Sequence, residues 1–139
     1  MSATVYVLTV LAAVVVVLTR IRLSRTQAAG RLDVGRAVLG VHTVAGGLAV
    51  VVWLVYLLGA DALGEGPASV VGIAALGFWY VTVVAGLLIL LRWRRSRGRH
   101  AAPARSDSWS SGPWLSVLAH VGLLVGVCVF TWYYANPGS

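Results

Sequence analysis

The chain has 139 residues, is 59% hydrophobic and only 11% charged, and carries a formal net charge of +7. That length makes one domain, and such a composition, with apolar runs of about twenty residues, signals a membrane protein rather than a soluble one. All eleven basic residues are arginines gathered in two short stretches. No helix carries a basic stripe, so nucleic acid is excluded as a partner. The single cysteine, Cys128, excludes an internal disulfide and paired-thiol redox chemistry.

The first apolar run is Ala3 to Thr19, followed by Arg20, Arg22 and Arg25. A secretory signal places its positive charge before the apolar stretch, so this order predicts a retained first span. The valines at 14–17 would suit a strand in water, but a single span in lipid must satisfy its own backbone and is therefore helical. Residues 20–36 form an arginine-rich loop with Asp33 as its one acid. A second span is predicted over 37–59 and a short acidic connection, ADALGEGP, follows it. Pro67 fits the first turn of a third span over 68–91, where its missing N–H costs nothing.

Residues 92–112 form a second polar loop, rich in arginine and serine, with Trp93 and Trp109 suited to headgroup depth. The fourth span is predicted over 113–135, with Trp132, Tyr133 and Tyr134 as an interfacial aromatic belt. The expected fold is an all-α, up-down four-helix bundle in a membrane, one domain over 1–139. By the positive-inside rule the arginine loops are cytoplasmic and both termini lie outside, as in a bacterial-type cytoplasmic membrane. The lipid bilayer is then the chain's first partner.

Two histidines fall inside spans: His42 in VLGVHTVAGGLAVVVWLVY and His120 in LSVLAHVGLLVGVCVF. An ionisable group in hydrocarbon is by default a functional-site candidate. The second and fourth spans run parallel, and His42 and His120 enter them at depths of roughly 8 and 10 Å at 1.5 Å per residue. The rings can therefore face each other at one level. Offsets from His42 place Gly46, Ala49, Trp53 and Tyr56 on its face, and the small residues Gly46 and Ala49 leave room for a flat macrocycle. Leu124, Val127, Thr131 and Tyr134 share the face of His120.

Neutral imidazoles on facing helices suit axial ligation of a haem iron. Arg36 or Arg31 is placed to pair with propionates. Three readings of the pair stand side by side. One is a bis-histidine haem b, with His42 and His120 as metal ligands and Gly46 and Arg36 as cofactor-binding residues. Another is hydrogen bonding across helices to Thr43, Ser116 or a backbone carbonyl. The third is a proton relay or another metal. Zinc is disfavoured, since it wants four ligands and no cysteine or carboxylate lies at that depth. His100 sits in a polar loop and is expected to be solvated. Gly122 and Gly126 form a GxxxG pair suited to helix packing or a partner subunit, and Cys128 is read as a small filler.

On HTVAGG at 42–47 and AHVG at 119–122, the chain resembles small four-helix b-type cytochromes and the cytochrome membrane-anchor subunits of respiratory complexes. The resemblance covers the helical core and implies one haem, because two-haem members use two histidine pairs. It implies electron transfer with a quinone or a respiratory partner subunit, as a membrane oxidoreductase subunit. The alternative is a cofactor-free accessory or assembly subunit of a larger membrane complex; the candidate protein partners are a respiratory-complex subunit or a second copy of the chain (a homo-oligomer). Other small four-span classes fail: none of the four acidic residues lies in a span, as an antiporter needs, and one methionine is too few for a methionine-rich copper carrier.

Overall fold

The computed structural model describes residues 3–28, 36–96 and 114–136, without the side chains of 22–28, 36, 92–96 and 114–116. They form four α-helices: α1 Ala3–Ala28, α2 Arg36–Leu63, α3 Glu65–Ser96 and α4 Trp114–Ala135. Each contains a segment long and apolar enough to cross a membrane: Ala3–Ile21, Ala37–Leu63, Glu65–Leu91 and Val117–Ala135.

The helices outrun the predicted spans at the arginine end. α1 continues through Arg20, Arg22 and Arg25, and α3 through Arg92, Arg94 and Arg95. Arginine is a good helix former, and positive charge in the last turns complements the negative end of the helix dipole. Neither segment contains a glycine or proline to stop it. Hydrocarbon length marks where a span leaves lipid, not where its helix ends.

At the other end the predicted eight-residue connection collapses to one break. Gly64 has φ 78°, a left-handed conformation open to glycine without a Cβ penalty. Its N–H donates to Ala60 O at 3.2 Å, and its own carbonyl accepts from Ala68 N at 3.0 Å. One residue thus closes α2 and opens α3, and Glu65 faces the positive start of α3. This tight hairpin makes α2 and α3 the most closely packed pair.

Neighbouring helices run antiparallel and in step. Thr9 and Val16 of α1 meet Trp53 and Gly46 of α2, and Gly46 and Tyr56 of α2 meet Thr82 and Gly72 of α3. Gly72, Tyr80 and Gly86 of α3 meet Tyr134, Thr131 and His120 of α4. α1 also touches α4, whereas among the described residues α2 makes no close backbone approach to α4, nor α1 to α3. The result is an up-down square with α2 and α4 on one diagonal.

Outward faces are apolar: Val10, Val44, Val70 and Leu118 are each more than 60% exposed. Large apolar faces of this kind suit lipid better than water. Of the predicted aromatic belt, only Trp132 faces outward; Tyr133 is buried and Tyr134 turns inward against Gly72. Successive helical residues point about 100° apart, so three in a row cannot share one face. Cys128 is exposed rather than an interior filler. No described atom of another helix lies within 4 Å of a Cβ built at Gly122 or Gly126, so that pair makes no close helix contact within the described bundle.

Candidate functional site

The second and fourth helices bring His42 and His120 together across the diagonal. Their ring centroids are 6.3 Å apart with 44° between the planes. His42 is 0% exposed and His120 6%. Both rings point into the bundle because each lies on the buried stripe of its helix: Leu39, His42, Ala45 and Ala49 in α2, and His120, Leu123, Val127 and Phe130 in α4. That stripe corrects one detail of the face read from sequence. Leu123, not Leu124, continues inward from His120, and Leu124 is 39% exposed.

Neither Nδ1 nor Nε2 of His42 has a hydrogen-bond partner among the described residues. A neutral imidazole carries one donor and one acceptor, and an unsatisfied buried polar group costs about 1–3 kcal/mol. Thr43, a candidate partner, turns away: its hydroxyl donates to Leu39 O at 2.9 Å. Thr82 does the same, to Phe78 O at 2.8 Å. The side chains of Ser116, Arg31 and Arg36 lie outside the described residues, as does His100. α2 does begin at Arg36, within two turns of His42.

Gly86 of α3 is the third member of the site, a residue that its type alone does not single out. A Cβ there would lie 2.6 Å from Cδ2 and 3.0 Å from Nε2 of His120, and 3.4 Å from Cδ2 of His42. Any side chain at 86 would wedge between the rings. The signal was available in the register: His42 lies five residues after Ala37, and Gly86 five residues before Leu91, at the same depth on antiparallel helices.

Gly46 is buried one turn further in, and its open side is occupied. A Cβ there would meet Val16 at 2.9 Å and Thr82 at 3.3 Å. Trp53 is fully buried, but it belongs to a separate aromatic layer. Its Nε1 donates to Thr9 Oγ1 at 3.1 Å, and its ring packs on Phe130 at 4.9 Å and Tyr56 at 5.2 Å.

Metal–imidazole bonds of ~2 Å, with about 1 Å from ring centre to nitrogen on each side, span roughly 6 Å. The observed separation fits an ion held between the two rings. Among the described residues no group of three or more metal-capable side chains occurs, so a bound ion would draw its remaining ligands from a cofactor or have none. Two neutral imidazoles are a donor set that an ion held by a cofactor can use. No protein-family model, characterised protein or solved structure matches the chain.

Proposed function

We propose that the chain is a multi-pass protein of a bacterial-type cytoplasmic membrane that holds one haem b between His42 and His120 and exchanges electrons with a quinone or a partner subunit. The observation that carries this reading is the buried imidazole pair at 6.3 Å, with both nitrogens of His42 unpartnered among the described residues. Ligation would remove the cost of leaving that ring unsatisfied in hydrocarbon. The group, when bound, supplies one-electron chemistry; His42 and His120 would hold it as two neutral imidazole ligands, and the surrounding residues would give it an apolar setting and exclude water.

Space for the macrocycle has to come from α1 and α4, which pack more sparsely than α2 on α3. Gly86 lies against both rings, and Val16 and Thr82 close over Gly46. This close packing favours one second reading, a cofactor-free accessory subunit in which the histidines are structural. A reduced-minus-oxidised visible spectrum of protein expressed with ample haem separates the two. Bis-imidazole ligation gives a sharp band on reduction, and a colourless wild type leaves the accessory reading.

The arginine partition supports a topology with residues 20–36 and 92–112 on the cytoplasmic side and both termini outside. A reporter active only in the cytoplasm is expected to work when fused after Arg99 and to fail at Gly64. The opposite pattern would move the histidine layer to the outer leaflet.

A further inference from the structure

The contacts between α1 and α2 recur at one spacing on both helices. Trp53 Nε1 donates to Thr9 Oγ1 at 3.1 Å, and a Cβ at Gly46 would meet Val16 at 2.9 Å. From Thr9 to Val16 is seven residues along α1, and from Trp53 back to Gly46 is seven along α2. One further turn, four residues on each helix, leads from Val16 to Arg20 and from Gly46 to His42. Residues at such offsets lie above one another on a single helix face. Arg20 therefore stands on the α2-facing side of α1, level with the histidine layer.

Arg20 also falls within the segment of α1 long and apolar enough to cross a membrane, Ala3–Ile21. A cation at that depth calls for a counter-ion. The described acids, Asp61 and Glu65, flank Gly64 at the far end of the bundle, so no described carboxylate supplies one. Axial ligands from α2 and α4 leave the rim of a macrocycle turned toward the other two corners of the square, α1 and α3. On the α3 side Gly86 already lies against both rings. On the α1 side the residue at this level is Arg20, whose side chain is exposed.

We propose that Arg20 is a cofactor-binding residue, its guanidinium pairing with a propionate of the haem held by His42 and His120. The inference rests on the haem reading and adds α1 to a site otherwise formed by the other three helices. The guanidinium fork matches a carboxylate with two parallel N–H···O bonds. The pair neutralises an intramembrane arginine and fixes which edge of the macrocycle turns toward the arginine end. Positive charge near the iron favours the reduced form, which carries one positive charge fewer, so the pairing raises both affinity and potential.

The test reconstitutes the full chain with haem b and, separately, with haem b whose two propionates are capped as methyl esters. Affinity and midpoint potential are read by visible titration. Arg20→Gln should weaken binding of ordinary haem by roughly two- to fivefold, the range of an exposed ion pair, and lower the potential while keeping the bis-imidazole band. Arg20→Lys should restore most of both. With the ester, wild type and Arg20→Gln should bind equally, since no carboxylate is left to pair. Arg22 and Arg25 keep that end of the span positive, so insertion is expected to be unchanged. Wild-type affinity and potential in Arg20→Gln overturn the proposal and leave Arg20 to lipid phosphate. A loss in Arg20→Gln that persists with the ester also overturns it, because the arginine would then act on the fold. A wild type that takes up neither haem fails earlier, with the haem reading itself.

Discussion

From Tyr134 to Trp79 the bundle interior is a run of aromatic rings in mutual contact, whereas toward the arginine end it holds two imidazoles with Gly86 against them. In the aromatic half, Tyr134 packs on Tyr56 at 5.6 Å, Tyr56 on Trp53 at 5.2 Å, Trp53 on Phe130 at 4.9 Å and Phe130 on Trp79 at 5.6 Å. Most of its polar tips are satisfied. Trp53 donates to Thr9, and the Tyr134 hydroxyl sits 2.8 Å from that of Ser69 and donates to Ser69 O at 3.1 Å. Trp79 Nε1 is the exception among the described residues. The histidine half breaks the same rule at its centre. Local consistency marks the part of a fold that holds it together, and a costly exception marks where function is to be sought.

The largest expected effect follows from that exception. His42→Ala and His120→Ala should each abolish the bis-imidazole spectrum or shift it to high spin, and the double variant should resemble the singles because the ligands act as a unit. Without cofactor, His42→Leu is expected to stabilise the protein or leave it unchanged, since it removes an unsatisfied buried group. Thermal melts in detergent, with and without haem, check both halves of this expectation. A large loss of stability in cofactor-free His42→Leu would mean that the ring is structural.

Phe130→Ala tests the other half. Phe130 touches both Trp53 and Trp79 and is fully buried, so truncation should cost about 3–5 kcal/mol. The loss should appear in the melt of the cofactor-free protein as well. If Phe130→Ala instead altered the spectrum and spared the melt, the division into a holding half and a working half would be wrong.

The glycines come next in size. Gly86→Ala puts a methyl 2.6 Å from His120; overpacking of this kind costs roughly 1–3 kcal/mol and here should move the rings, so the spectrum should change. Gly46→Ala pushes on Val16 and Thr82 instead. Its loss should be similar in the melt, with the spectrum kept. A spectral change at Gly46 equal to that at Gly86 would restore the reading in which Gly46 makes room for the macrocycle.

The four helices were legible because apolar length and arginine position are properties of the chain itself. The facing of His42 and His120 followed from depth on parallel helices. Gly86 is legible only in depth, level with His42: a glycine carries no sign of which neighbour approaches it, and the packing of α3 against α4 is what brings His120 there. The extension of α1 through Arg25 was missed because hydropathy falls where the helix continues. Tyr133 and Tyr134 looked like a belt because aromatic type suggests an interface, whereas helical phase decides which ring faces lipid.

The smallest expected effect concerns a hydrogen bond that ties α1 to the aromatic half. Thr9 Oγ1 accepts from Trp53 Nε1 at 3.1 Å and donates to Val5 O at 2.7 Å. Thr9→Val keeps the shape, removes the acceptor and leaves a buried indole N–H unpaired. Interhelical hydrogen bonds within membranes are worth about 0.6 kcal/mol on average, with values up to ~2 in model peptides. Thr9→Val should therefore lower stability by roughly that amount, well below Phe130→Ala. Trp53→Phe loses the same bond along with ring area, so a double-mutant cycle isolates the bond itself. A coupling near zero would mean that this bond adds nothing to the packing of Val5, Ala12 and Val16, which are already buried. A coupling near the upper value would make this bond the principal polar tie between the first helix and the described core, and would predict that Thr9→Val loosens α1 without disturbing the histidine spectrum.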